Sequence, residues 1–214
     1  MARPQTDIEA GRKQLLEVVD NLVRQRGAAD ISMAELATAA GMSPSNIYRF
    51  FENKEALSEA VAEKWFAEKV RIMEEVVGSN LPARDKLFAF FARRFAVLVD
   101  QYQAEPALFK SYLEMGHQYL EVVRGYVDLG DHYLAMIVAE AMEQGYFGGL
   151  SIDETVSLIN QMVQPYCHPE AIITIGTTKL NEQKLGRIID TILIGLGKVY
   201  EDKAANRSHI KIVS

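Results

Sequence analysis

Residues 32–57 read SMAELATAAGMSPSNIYRFFENKEAL. Ser32 stands before an apolar-periodic run and Glu35 follows three residues later, the arrangement of a capping box. Ala37, Ala40 and Gly41 are small where two helices cross closely. Gly41 falls where the chain leaves the first helix, and a left-handed backbone there carries no Cβ penalty. Ser43-Pro44 then reopens a helix, with Ser as its cap and Pro at its first position. Leu36, Ala40, Met42, Ile47 and Phe50 or Phe51 face inward together, which leaves Ser45, Asn46, Tyr48 and Arg49 facing out. The pattern predicts helices over 33–40 and 44–51 around a tight turn. This is a helix-turn-helix, whose second helix reads the DNA major groove.

Working outward, Leu15, Leu16, Val18, Val19, Leu22 and Val23 have helical spacing within 7–26, and Gly27 ends that run. On the other side Asn53 caps a long helix that runs to Gly78, with Glu55 in its first turn. Leu57, Val61, Trp65, Val70 and Met73 lie along it. From Pro82 onward the pattern stays helical. Helices are predicted over about 82–104, 106–115, 118–144, 151–166 and 181–202, with an irregular apolar segment from His168 to Thr178. Ile172–Ile175 is the one stretch with a weak strand signal. The fold class is all-α: a three-helix helix-turn-helix domain at residues 1–52, then a larger helical domain at 53–214.

Bulk properties agree with a soluble globular protein. The chain has 214 residues, 49% hydrophobic and 24% charged. No apolar run approaches the roughly 18 residues needed to span a bilayer. The first residues carry no secretory segment, so a cytosolic protein is expected. Cys167 is the single cysteine, so no intrachain disulfide forms. The net charge is −6, yet residues 1–54 hold seven Lys/Arg and seven Asp/Glu and are neutral. DNA-binding domains are usually basic, so the helix-turn-helix motif, and not the charge, carries the DNA reading.

The head resembles that of the tetracycline-repressor (TetR) family of bacterial regulators. The resemblance rests on Ser32-Met33-x-x-Leu36-Ala37-x-x-Ala40-Gly41-Met42-Ser43, continued by Ile47-Tyr48-x-x-Phe51-x-Asn53-Lys54-Glu55-x-Leu57. It implies a homodimer, a palindromic double-stranded operator, repression, and release by a small molecule, with residues 53–214 as the ligand-binding and dimerisation domain. It also implies that Tyr48 gives its hydroxyl to a DNA phosphate. Phe50 departs from the family, which commonly has His or Tyr there; Phe cannot hydrogen-bond a phosphate, so Phe50 is assigned to packing. Lys54 is a cation in a first helical turn, where the dipole disfavours it, and a phosphate would compensate. Ser45, Asn46 and Arg49 are candidates to meet base edges. Ser32 and Ser43 are caps first and phosphate contacts second.

In the body, Phe88, Phe91, Phe95, Tyr112, Met115, His117, Tyr126, Tyr133 and Met136 crowd the helices that surround the ligand in that family. Stripes of this kind are also what an ordinary core looks like. The helix at 86–99 is apolar nearly all round and should be central. Leu158, Met162, Leu185, Ile189, Ile192 and Leu196 lie on the wide apolar faces of two helices suited to a two-fold dimer interface. Cys167, His168 and Glu170, with Pro169 among them, do not make a preorganised metal site. The sequence shows no nucleophile elbow, phosphate loop or paired general acid and base, so neither an enzyme nor a cofactor is expected. Two readings follow. One is a dimeric repressor released by a small, largely apolar ligand that shifts the long helix from Lys54 and so alters the spacing of the two recognition helices. The other is a protein-interaction adaptor that keeps the head but does not bind DNA specifically.

Overall fold

A computed structural model describes residues 5–27 and 30–196. Ten helices follow one another: α1 (Gln5–Arg26), α2 (Met33–Ala39), α3 (Pro44–Ile47), α4 (Lys54–Val77), α5 (Ala83–Ala104), α6 (Pro106–Gln118), α7 (Leu120–Glu143), α8 (Ile152–Cys167), α9 (Pro169–Thr174) and α10 (Glu182–Gly195). No strand occurs among the described residues.

The helix-turn-helix forms as its sequence dictates. Ser32 and Glu35 make the full capping box: the Glu35 amide donates to Ser32 Oγ at 3.2 Å, and the Ser32 amide donates back to Glu35 Oε2 at 2.9 Å. Gly41 adopts φ +64°, the left-handed turn that separates α2 from α3. The second helix is shorter than expected. Ser43 holds the N-cap position without a side-chain cap bond, its hydroxyl lying 3.1 Å from that of Ser45. Beyond Ile47 the chain continues as turns, with Arg49 and Phe50 amides bonded to carbonyls three residues back. Burial of Ile47 and Phe51 fixes this tight winding, since both enter the same core.

That core joins Leu15, Val19 and Val23 of α1 to Ile31, Leu36, Ala37, Ile47 and Phe51, and takes in Leu57 and Val61 from the first two turns of α4. Phe50 packs on its edge against α1. A Cβ built at Gly11 would lie 2.3 Å from Phe50 Cε1, so only glycine allows this approach. Arg12 Nε donates to the Phe50 carbonyl at 2.8 Å, pinning α1 to the end of the recognition segment.

The second core is built around α5, whose Leu87, Phe90, Phe91, Phe95 and Leu98 are buried among α4, α7, α8 and α10. Asn53, Ser151 and Asn181 cap α4, α8 and α10 through their side chains. Two expectations are corrected here. Ile172–Ile175 forms no strand: Pro169 opens α9, and Ala171 and Ile172 turn into the core. The helix expected to stop at Gly116 runs on to Gln118. The predicted extension of the last helix to 202 lies partly outside the described residues.

The effector cavity and the DNA-facing segment

Apart from buried Ile47 and Phe51 and half-buried Asn46 and Phe50, the recognition segment leaves its side chains to solvent. Tyr48 is 54% exposed, and Ser43, Ser45 and Arg49 are exposed beside it. Asn46 is half-buried, and Arg49 Nη1 donates to its Oδ1 at 3.4 Å. The other two head residues are already engaged. Ser32 Oγ donates to Glu35 Oε2 at 2.7 Å, and Lys54 forms an ion pair with Asp30. This pair, first through its hydrogen bond, raises the Lys54 pKa, so the residue keeps its charge.

The head's neutrality also finds a local explanation. No Asp or Glu lies between Glu35 and Glu52. Glu35 is held by Arg26 at 2.5 Å and Asp30 by Lys54, while Asp20 points to the body. The stretch 36–51 that carries Ser45, Tyr48 and Arg49 therefore holds no carboxylate of its own, whatever the sum over the segment.

Between the helices of the body lies a cavity of about 440 Å³, within the range usual for small-molecule sites. Its wall is mostly apolar: Trp65, Phe66, Val70, Phe91, Leu98, Leu113, Val123 and Tyr126 among others. Of the nine residues expected to meet a ligand, Phe91, Tyr112, Met115, His117 and Tyr126 line it. Four do not. Phe88 packs between α5 and α10, 3.7 Å from where a Cβ on Gly186 would stand. Phe95 is buried edge-on against Tyr166, centroids 5.1 Å apart. Tyr133 donates to Glu74 at 3.2 Å on the outer side of α7, and Met136 is 46% exposed. The helical stripe that suggested them wraps round α5 and α7, so only one part of it faces the cavity.

Most of the wall lay outside those nine residues, and the two basic side chains in it, Lys69 and Arg94, were missed with the rest. The Arg93-Arg94 pair interrupts an otherwise apolar central helix, and that was the available signal. Arg93 points out to Glu75 at 2.6 Å, and Arg94 turns in to the cavity. Its guanidinium sits 4.7 Å from the centroid of Phe90. Lys69 is 5% exposed; its ammonium donates to the Trp65 carbonyl at 2.8 Å and to Gln101 Oε1 at 2.9 Å, and lies 4.5 Å from the Trp65 ring centroid. Burial, reinforced by the nearby Arg94 charge, pulls the Lys69 pKa from 10.5 down to about 7.

This shift has a measurable consequence. Between pH 7 and 10.5 an unfolded lysine holds a proton that native Lys69 has lost, so raising the pH favours the native state. We predict that unfolding free energy rises between pH 7 and 9 by on the order of 2 kcal/mol from this group, and that Lys69→Met removes the rise. Urea melts at several pH values check it. An equal slope in the variant contradicts it.

The cavity reaches the head through α6. Tyr112, on the cavity wall, donates its hydroxyl to Asp20 of α1. Burial raises the Tyr112 pKa, so the phenol stays a donor. Asp20 also accepts from Lys64 of α4 at 2.7 Å. Nearby, Arg24 of α1 forks onto Glu105 at the start of α6, at 2.5 and 2.8 Å. Leu108 and Met115 of α6 complete the contact by packing on the head core.

The interface residues expected on α8 and α10 separate into two groups. Leu185, Ile189 and Ile192 are buried in the protomer's own core, because they form the α10 stripe that packs on α5 and α8. Leu158 and Leu196 are half-buried and Met162 is exposed; Ile194, at 64%, is the most exposed large apolar residue among the described residues.

Comparison with known proteins agrees with this geometry. Residues 15–61 match the family model of bacterial regulatory proteins of the tetR family, and residues 83–189 match the tetracyclin repressor-like C-terminal domain. The chain belongs to the TetR family. It is thus a helix-turn-helix, DNA-binding transcriptional regulator. The fatty acid metabolism regulator protein of Bacillus subtilis is 23% identical over 176 residues, covering 80% of this chain and 84% of that protein. The solved structure of the Bacillus subtilis regulator FadR in complex with stearoyl-CoA superposes with TM-score 0.59 at 18% identity, covering 86% of this chain and 98% of that one. A TetR-family regulator from Marinobacter aquaeolei gives TM-score 0.61 at 16% identity, over 89% and 97%. At these identities the solved structures establish the shared fold. No described helix of this TetR-family chain is long and apolar enough to cross a membrane.

Proposed function

We propose that the protein is a homodimeric repressor that binds a palindromic operator through residues 1–52 and is released by a largely apolar effector held in residues 53–214. The observation that carries this reading is the partly open, mostly apolar cavity that shares Tyr112 with the contact between α6 and the head. The effector we infer has an acyl-chain-like body. Trp65, Phe66, Phe91 and Tyr126 offer the surface for it, and two of the relatives named above are a fatty acid metabolism regulator protein and a FadR solved with stearoyl-CoA.

Release would follow from geometry. Two half-sites on one face of DNA lie about 34–36 Å apart or a multiple of it. A ligand that moves α6 drags α1 through Asp20 and Arg24, and α4 through Lys64, so each head tilts and the match to that spacing is lost. The dimer would use the outer surfaces of α8 and α10, where Leu158, Met162, Ile194 and Leu196 remain accessible. On the head, Tyr48 and Lys54 would meet phosphates, with Ser32 and Ser43 nearby, while Ser45, Asn46 and Arg49 would meet bases. The adaptor reading loses its main support, because no carboxylate lies within the segment that would face DNA.

Selection of genomic fragments by the purified protein tests this function. We expect recovery of a fragment with an inverted repeat, bound with an affinity that falls steeply with salt as phosphate contacts require. Uniform, sequence-independent binding overturns it.

A further inference from the structure

The cavity wall carries charged side chains of both signs. Lys69 and Arg94 both face it, one from α4 and one from α5. Among the described residues neither forms an ion pair within 4 Å. Arg94 makes no side-chain hydrogen bond at all within that set; its ring contact with Phe90 leaves its N–H groups uncommitted. Two acids share the wall. Asp131 accepts from the Asn160 amide at 2.7 Å and acts on Arg94 only from beyond ion-pair distance, and Glu170 lies 2.8 Å from His117. The Arg94 guanidinium therefore keeps N–H donors at the cavity that a neutral hydrocarbon cannot satisfy, and Lys69, half-charged near pH 7, regains its proton beside an anion.

We propose that the effector carries a compact anionic group, a carboxylate or similar small oxyanion, which Lys69 and Arg94 receive inside the cavity while the apolar body lies along Trp65, Phe66 and Tyr126. The inference rests on the preceding reading of the cavity as an effector site, and it narrows the class of effector. Arg94 supplies the planar fork that suits two carboxylate oxygens, and Lys69 adds a second donor. The group must be small, because Lys69 is 5% exposed and enclosed between α4 and α5. The nucleotide of an acyl-CoA is too bulky to follow it there. A free fatty acid fits; a thioester, whose negative charge sits on that nucleotide, does not bring its charge to these cations.

Trp65 is the only tryptophan and lines the cavity, so its fluorescence reports occupancy. The test titrates the full-length protein with dodecanoate, dodecanol and dodecanoyl-CoA. We expect dodecanoate to bind about tenfold or more tighter than dodecanol, as charge-assisted hydrogen bonds require. Arg94→Gln and Lys69→Gln should erase that preference while dodecanol still binds, and Arg94→Lys should keep part of it. Dodecanol binding as well as dodecanoate overturns the anion site but leaves an apolar effector site standing. Preference for dodecanoyl-CoA that survives Arg94→Gln also overturns it, and places the charge recognition elsewhere. If none of the three changes Trp65 emission, both this inference and the acyl-chain reading of the cavity fail.

Discussion

Asp20→Ala abolishes most of the effector-induced release of DNA without weakening the effector's own binding. Asp20 lies on α1, outside the cavity and away from the DNA-facing segment, yet it accepts from Tyr112 of α6 and Lys64 of α4 at once. Its side chain is 16% exposed, so both bonds are shielded from water. A hydrogen bond to a charged group contributes about 1.5–3 kcal/mol, and couplings between allosteric sites are typically about 1–3 kcal/mol. Removing the shared acceptor should therefore take away roughly a tenfold or larger part of the effector-induced loss of DNA affinity. Tyr112→Phe offers a second route to the same result. It keeps the ring that packs edge-on to Trp65 at 5.6 Å and removes only the hydroxyl. DNA titrations with and without effector, alongside Trp65 quenching for occupancy, separate the two effects. If both variants bind effector and release DNA as the unaltered protein does, the link between α6 and α1 is not the transmission path.

Arg49→Ala should reduce operator affinity by about 10- to 100-fold, the effect of losing one good bidentate contact with a base. Little else should change. Arg49 is exposed, and its single side-chain bond, to Asn46, is long at 3.4 Å, so thermal stability should stay within about 0.5 kcal/mol. The salt dependence tells what Arg49 touches. If it reads a base, the loss concentrates on the cognate site. If it neutralises a phosphate, affinity falls uniformly across sequences and the salt slope drops by about one. Unchanged affinity for the selected operator would remove Arg49 from the interface.

The head was legible because its signals are local. A capping box, a left-handed glycine and a Ser-Pro restart each act within four residues, and each formed where the sequence placed it. The end of α3 was not legible, since Ile47 and Phe51 are drawn into a core whose shape is set by α1 and α4. Gly11 gave no warning of its role; nothing in its neighbours shows that Phe50 will lie against it. The order of body helices followed from apolar spacing, but the side of each helix that faces the cavity did not. Spacing marks a residue as buried without saying whether protein or empty space lies opposite. Phe91 and Phe95 are one helical turn apart, yet one lines the cavity and the other packs on Tyr166. Likewise α10 carries one apolar stripe that the protomer's own core consumes, which leaves Ile194 outside it. Lys69 and Arg94 were hidden because charged residues on amphipathic helices are ordinarily read as solvated.

The measurement that bears most directly on the whole account is a titration of the selected operator fragment, followed by fluorescence anisotropy, against the protein with and without saturating dodecanoate. The account predicts that occupancy of the cavity, shown by Trp65 in the same sample, weakens operator binding by about tenfold or more. Full occupancy with operator affinity unchanged would contradict it.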